Sequence, residues 1–462
     1  MFCCSSMKLK GGKRLVIIVM AFGVVFLRGS IKNMMKTFTP SKLEQIQVVH
    51  RHMSQLVTRM QSAEDRVPPH LQMRPRDPSR TWGYHDRDIA FRKAVTYLTR
   101  ARYNNTLWRD LDPMAMSVPQ PLSEFTNPCW WVYNVPQNHC LWGMDQSRKS
   151  LAEIARRRKR ENKKVLRCLP YFYIIGQGKS GTTDLFNRLT KHPNVAPHAM
   201  KETQWVCRIR LRESCSSFET YLTLLQKSAN FIQRNHNQNT VSPYIAGDAT
   251  PGYFSYIDFW DMLPGNEGCT EPCVTNADIV HHMNPHAKII LSLRNPTDRL
   301  YSYYFFKSSV LGRMVSKQDF HDLVNREIWK FNKCLVSQSL RGCCYNYTIA
   351  DSLTEELDLR RGIYHVFLLD WMKVFPRNQI YVQTFEDYAN NETKHLSEIF
   401  RFLKLKSLSD AALNNITALG HGFPRKYGLS VGAMLAETRV ILDKFYKPHN
   451  EHLSKLMGKD YW

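Results

Sequence analysis

Between Tyr171 and Leu189 the chain reads YFYIIGQGKSGTTDLFNRL. An apolar run stops at Gly176, a loop of small residues holds one lysine, Lys179, and Leu185, Phe186 and Leu189 then fall on one helical stripe. Such a loop belongs at the carboxyl end of a strand and the start of a helix, where free backbone N–H groups and the helix dipole both favour an anion. The chemistry to expect is phosphate binding beside a lysine. A nucleoside-triphosphate loop would read G-x-x-x-x-G-K-Ser/Thr, with the lysine after the second glycine. Gly176 and Gly181 have that separation, but Lys179 lies between them and Thr182-Thr183 follow, so the match to an ATP loop fails.

A second stretch, HAKIILSLRNPTDRLYSYYFF, again runs from an apolar strand, Ile289 to Leu293, into a helix opened by Asn295-Pro296. Together the two stretches resemble the phosphate motifs of sulfotransferases. GKSGTT resembles the 5′-phosphosulfate loop, usually P-K-x-G-T-T, with Gly178 in place of the proline, a change that loosens the loop because glycine leaves φ free. Arg294 and Ser302 match the 3′-phosphate motif R-x-P-x-x-R-x-x-S, whose second arginine, Arg299, is equally open to reading as a surface residue. An arginine fork and a hydroxyl suit a ribose 3′-phosphate, which ATP lacks. The resemblance implies 3′-phosphoadenosine 5′-phosphosulfate (PAPS) as co-substrate, with Lys179, Ser180, Gly181, Thr182 and Thr183 at its 5′ end and Arg294 and Ser302 at its 3′ end.

Further pieces resemble the luminal glycosaminoglycan sulfotransferases, a resemblance running from about Leu166 to Trp462. MKETQWV is similar to their K-E-x-x-F/W segment and aligns Lys201 and Glu202, the glutamate being the family's catalytic base. GDATPGYF resembles E-K-x-P-x-Y-F: Asp248 and Tyr253 fit, but Ala249 stands where a substrate-contacting lysine is common, a departure from the heparan-type pattern. GHGFPRKYG occupies the place of a cofactor-binding loop, with Arg425 and Lys426 as its phosphate ligands. LDKFYKPHNEHLSKLMGKDYW resembles the group's C-terminal ending. Within the family, the T-T-D-L after the loop, the NPCWW collar and the long basic pre-domain look most similar to the subgroup that sulfates the 6-hydroxyl of N-acetylgalactosamine 4-sulfate in chondroitin sulfate.

The implied reaction is an in-line attack of an acceptor hydroxyl on sulfur, with negative charge growing on the phosphate oxygen that leaves with 3′,5′-ADP. Lys179 is expected to neutralise that charge, Glu202 to accept the hydroxyl proton, and Lys201 to hold the acceptor or the sulfuryl group. The sulfuryl group carries a single negative charge, so lysine and arginine can replace the magnesium of phosphoryl transfer, and no metal is expected. His281-His282, Cys343-Cys344 and the CTEPC segment at Cys269 to Cys273 lack a second ligand pair at matching distance and read as ordinary histidines and disulfide cysteines.

Holding these residues requires an α/β domain with a P-loop-like parallel sheet flanked by helices, the sulfotransferase fold. The 462 residues, 43% hydrophobic and 23% charged, suffice for such a core and argue against wholesale disorder. The expected organisation is a cytoplasmic tail at 1–14, a transmembrane signal anchor at 15–28, a polar stem at 29–87, a cysteine-bearing aromatic pre-domain with a basic linker at 88–165, and the sulfotransferase domain at 166–462. The anchor is an apolar run from Leu15 to Leu27 between Lys8, Lys10, Lys13 and Arg14 on one side and Arg28 on the other, shorter than the usual ~20-residue span. A cleaved signal peptide would look similar. Trp130, Trp131 and Trp142 of the collar are read as core residues before sugar platforms.

Ten cysteines after the anchor, from Cys129 to Cys344, and Asn-x-Ser/Thr acceptors at Asn104, Asn346, Asn391 and Asn415 point to the secretory pathway, and together with the anchor the family resemblance implies a single-pass type II Golgi membrane protein. A net charge of +24 calls for a polyanion, and in that compartment a sulfated or carboxylated glycan is expected rather than nucleic acid; the resemblance implies a sulfated glycosaminoglycan of the chondroitin or dermatan type. The Arg156 to Lys164 run is open to three readings: a solvated linker, a glycan contact or a processing site. Oligomeric state has no signature here. Rival readings are a heparan-type O-sulfotransferase and a catalytically silent glycosaminoglycan-binding protein; a nucleotide kinase would need the Walker lysine that is missing.

Overall fold

The computed structural model describes residues 5–8, 14–17, 114, 117–133, 164–198, 200–209, 218–257, 260–263, 265–346, 357, 359–418 and 431–462. The chain divides into two units, Met1–Ala90 and Phe91–Trp462. In the first, strand β1 (Ser5–Lys8) pairs antiparallel with β2 (Arg14–Ile17), which takes in the opening residues, 15–17, of the expected anchor. Residues 18–28 and the stem lie outside the described residues, and among the described residues no helix is long and apolar enough to cross a membrane.

In the second unit, β3 (Cys129–Val132) and β4 (Val165–Cys168) form a two-stranded antiparallel collar. Cys129 lies opposite Cys168 and is disulfide-bonded to it. Trp130 is buried in the main core, as its core reading expected, whereas Trp131 is partly exposed and donates its Nε1–H to Glu124 at 3.1 Å. Trp142 and the basic run from Arg156 to Asn162 and Lys163 are outside the described residues.

The main sheet has four parallel strands, β5 (Phe172–Gly176), β6 (Gly247–Ala249), β7 (Lys288–Leu293) and β8 (Ile380–Thr384), in the order β6-β5-β7-β8. The runs expected as strands at Tyr171 and Ile289 start within one residue of the observed ones. They are apolar throughout because both faces are covered. Tyr173 and Ile175 point into one core with Ile289, Leu291, Leu293 and Phe367, while Phe172 and Ile174 point into the other with Leu185, Phe186, Leu189, Ile290 and Phe400. This period-two division buries large side chains at roughly 1.5–3 kcal/mol each.

Helices follow the strands. After β5 comes α1 (Thr182–Leu189), whose Leu185, Phe186 and Leu189 are the buried stripe read from the sequence. Helix α2 (Asn276–Met283) precedes β7, and α3 (Pro296–Leu311) follows it. Helix α3 starts where Asn295 Oδ1 accepts the N–H groups of Thr297 and Asp298 at 3.0 and 3.3 Å, with Pro296 as its first residue, and it ends at Gly312, φ 63°. Two further helices, α4 (Tyr364–Val374) and α5 (Ala436–Met457), close the larger core. Helix α5 braces the first turn of α3: Thr297 Oγ1 donates to Asp443 at 2.6 Å, and Arg439 pairs with Asp298 at 2.6 Å.

Disulfides join Cys269 to Cys273 and Cys334 to Cys343, so CTEPC closes on itself and Cys343 pairs away from its neighbour. Cys344 is left as a buried thiol whose pKa burial pushes up to about 12. Cys140 and Cys215 lie outside the described residues.

Two stability predictions follow from this packing. Gly247 sits opposite Phe172 in the sheet, and a Cβ there would lie 2.2 Å from the ring's Cζ, a ring that is fully buried. Gly247→Ala should destabilise the fold by about 1–3 kcal/mol in urea titration, the usual cost of overpacking; an unchanged midpoint would show that the ring is free to yield. His365 of α4 stacks against His449 and His452 of α5, with centroids 5.4 and 5.1 Å away. Burial, and then the neighbouring histidines, push His365 and His449 down to about 4. The unfolded chain takes up those protons near pH 6.5, so the contribution to stability is whole above that pH and is lost as the pH falls toward 4. Melting temperature should fall across that window, and His449→Gln should reduce the fall.

Candidate active site

The loop between β5 and α1 is held from both sides. Gln177 N–H donates to Ser292 O at 2.6 Å, and Ser292 Oγ donates to Ser180 O at 2.8 Å, so the end of β7 grips the loop along its length. The Gln177 side chain reaches across to Arg361 O at 2.8 Å, and its Oε1 accepts the Gly178 N–H at 2.7 Å. The left-handed backbone falls on Lys179 (φ 73°) and Gly181 (φ 75°), while Gly178, the glycine that replaces proline, has no positive φ. Gly181 is required twice over, since a Cβ would also meet the Phe385 ring at 2.8 Å.

Helix α1 opens without a side-chain cap. Its first internally answered N–H is that of Leu185, on Gly181 O at 3.0 Å, so the N–H groups of Thr182 and Thr183 point out of the helix end. Ser180 is fully buried, and its Oγ has no hydrogen-bond partner among the described residues. A buried hydroxyl left in that state costs free energy that a phosphate oxygen would recover. The uncapped helix end and the orphaned hydroxyl fit the 5′-phosphate of a nucleotide.

Arg294 leaves the carboxyl end of β7 and is nearly buried. Its Nη1 donates to Lys179 O at 3.2 Å, and its guanidinium lies 5.0 Å over the Phe385 ring. Tyr364 Oη donates to Arg294 O at 2.8 Å, and Glu386 Oε1 accepts the Asn295 N–H at 3.0 Å. Phe385 and Glu386, which follow β8, were not found from the sequence; the only signal was a short apolar run ending in TFED. Arg299, for which a surface position was open, is instead fully buried. Ser302 is half-buried on α3, one turn before Phe306 on the same face, and the Phe306 ring lies 4.6 Å from Lys179 Nζ.

Lys201 and Glu202 form an ion pair, Nζ to Oε1 2.6 Å, with the glutamate side chain 42% exposed. The Glu202 N–H donates to Ala249 O at 3.1 Å, which ties the pair to the carboxyl end of β6. Apart from Ser302, which lies in the body of α3, the described site residues belong to the carboxyl edge of one parallel sheet, where α/β proteins bind ligands: the loop after β5, Glu202 against β6, Arg294 after β7 and Phe385 after β8. Arg425 and Lys426 lie outside the described residues.

The sulfotransferase domain family matches residues 274–419. Human carbohydrate sulfotransferase 15 is 35% identical over 313 residues, covering 64% of this chain and 54% of that protein, so the chain spans about half the length of this relative. Carbohydrate sulfotransferase 15 of Nototodarus sloanii is 32% identical over 149 residues, 32% of this chain and 92% of that sequence. A solved sulfotransferase from Alicyclobacillus acidocaldarius, 19% identical, superposes with a TM-score of 0.40 over 63% of this chain and 97% of that one. With one relative matched over nearly its whole length at this identity, the assignment follows: the chain belongs to the carbohydrate sulfotransferase family.

Proposed function

We propose that the chain transfers a sulfuryl group from PAPS to a hydroxyl of a sulfated glycosaminoglycan, the acceptor position being the 6-hydroxyl of N-acetylgalactosamine 4-sulfate in chondroitin or dermatan sulfate. The observation that carries the donor reading is the 3.2 Å contact of Arg294 Nη1 with Lys179 O, since it makes the two phosphate motifs neighbours, as a shared nucleotide requires. The acceptor reading is supported by the excess of positive charge, by Ala249 in place of the lysine of heparan-type enzymes, and by the motif likeness to the chondroitin-modifying subgroup.

Bound PAPS supplies the sulfuryl group and departs as 3′,5′-ADP. The Thr182 and Thr183 N–H groups, Gly181 and the Ser180 hydroxyl hold the 5′-phosphate, and Lys179 neutralises the charge that develops on its bridging oxygen. Arg294 and Ser302 hold the 3′-phosphate. Glu202 takes the proton of the acceptor hydroxyl as the bond from that oxygen to sulfur forms and the bond from sulfur to phosphate oxygen breaks. Lys201, paired with Glu202 at 2.6 Å, holds the acceptor or the sulfuryl group. Arg425 and Lys426 complete the donor site. We further propose the organisation read from the sequence: tail 1–14, anchor 15–28, stem 29–87, pre-domain 88–165 and catalytic domain 166–462, in a type II Golgi membrane protein. The disulfides support a secretory compartment.

For the donor, 3′,5′-ADP should raise the melting temperature while ATP with magnesium does not, and Arg294→Ala should weaken 3′,5′-ADP binding by about 1.5–3 kcal/mol, one charge-assisted contact. Equal stabilisation by ATP would reject the reading. For the chemistry, Glu202→Gln keeps the shape and removes the base, so turnover should collapse while 3′,5′-ADP affinity stays within about twofold. The acceptor is tested by incubation with labelled PAPS and chondroitin 4-sulfate, desulfated chondroitin or heparan sulfate, followed by disaccharide analysis. A 4,6-disulfated N-acetylgalactosamine product is expected; exclusive glucosamine sulfation would move the chain to the heparan-type reading, and no transfer to any acceptor to the silent one.

A further inference from the structure

Asp248, in β6, is a carboxylate that the proposed chemistry leaves unused. It is buried, and hydroxyl groups surround it. Thr250 Oγ1 donates to its Oδ1 at 2.7 Å, and Thr203 Oγ1 and Tyr221 Oη donate to its Oδ2 at 2.8 and 3.0 Å. Tyr253 Oη lies 3.0 Å from the same oxygen and 2.7 Å from Thr203 Oγ1. Burying a carboxylate costs several kcal/mol unless its lone pairs are met, and here hydroxyl donors meet them. Burial holds the Asp248 pKa above the usual carboxylate range, and the hydroxyl donors oppose that shift.

The segment depending on it is the one that carries Glu202. Glu202 and Gln204 both have left-handed backbones, φ 61° and 50°, a conformation that costs side-chain-bearing residues about 1 kcal/mol or more each. Thr203 lies between them. The segment is stitched to β6 and the turn after it at successive points: Glu202 N–H to Ala249 O at 3.1 Å, Thr203 Oγ1 to Asp248, Gln204 N–H to Thr250 Oγ1 at 3.5 Å and Val206 N–H to Tyr253 Oη at 3.5 Å. Asp248 organises the side-chain members of this set, because Thr203, Thr250 and Tyr253 all have their oxygens on it.

We propose that Asp248, acting through Thr203, is a positioning residue that holds the strained 202–204 turn so that Glu202 presents its carboxylate to the acceptor hydroxyl. This rests on Glu202 being the base. The strain is local to the turn, and without the Thr203 tether the backbone relaxes to φ below zero and swings the glutamate away. The donor site, built on β5 and β7, is untouched by that change.

The experiment compares Thr203→Val, Thr203→Ser and Asp248→Asn in the full chain, each also combined with Glu202→Gln. Turnover is measured with labelled PAPS and chondroitin 4-sulfate, 3′,5′-ADP affinity by calorimetry, and folding by melting temperature. Thr203→Val should lose about 10- to 100-fold in kcat, the scale of a misplaced catalytic group, while 3′,5′-ADP affinity stays within about twofold. Thr203→Ser should restore kcat to within about threefold, because it keeps the hydroxyl. In the Glu202→Gln background the Thr203→Val loss should vanish, since a residue acting through another has nothing left to act on. Asp248→Asn should show the same split, and the Thr203 variants decide the matter where it fails to fold. Normal kcat in Thr203→Val, or an equal loss in both backgrounds, overturns the positioning role while leaving Glu202 as the base. Near-normal turnover in Glu202→Gln itself overturns both.

Discussion

The site depends on the grip of β7 on the loop that follows β5. Two hydrogen bonds at Ser292, one received from the Gln177 N–H and one given to Ser180 O, fix the loop against the neighbouring strand. Arg294, two residues on, then reaches Lys179 O. These are short-range bonds between segments more than a hundred positions apart in the chain, and they exist because β5 and β7 are adjacent and parallel, so their carboxyl ends arrive together. A one-residue slip of β7 would turn the buried Ser292 side chain to the opposite face and take the arginine with it.

The cores on either face of the sheet make that register rigid. Ile289, Leu291 and Leu293 are committed to one core and Ile290 to the other, so a slip would reverse all four. Stability from burial is then available to hold unfavourable backbone in the candidate site, at Lys179 in the loop and at Glu202 and Gln204 beside β6. The hydroxyl cluster around Asp248 and the brace of α5 on the first turn of α3 flank the same sheet edge. Both use polar contacts of well-defined geometry, which orient a group more narrowly than apolar packing does.

What the sequence determined by itself was local. The strand, loop and helix around Lys179, the strand and capped helix around Arg294 and the failure of the ATP-loop pattern were legible, because each is set by a few contiguous residues through hydrophobic period, helix capping and turn chemistry, while Lys201 and Glu202 were marked by the family resemblance alone. The tertiary structure decided what lies next to what. It buried Arg299, brought Phe385 from the end of β8 to the loop and Glu386 to the start of α3, paired Cys343 with Cys334 in place of its neighbour, and gathered Thr203, Tyr221, Thr250 and Tyr253 around Asp248. No period or spacing encodes these contacts. They arise from the order β6-β5-β7-β8, which is set by the joint burial of two faces, a property of the whole sheet and of no single stretch within it.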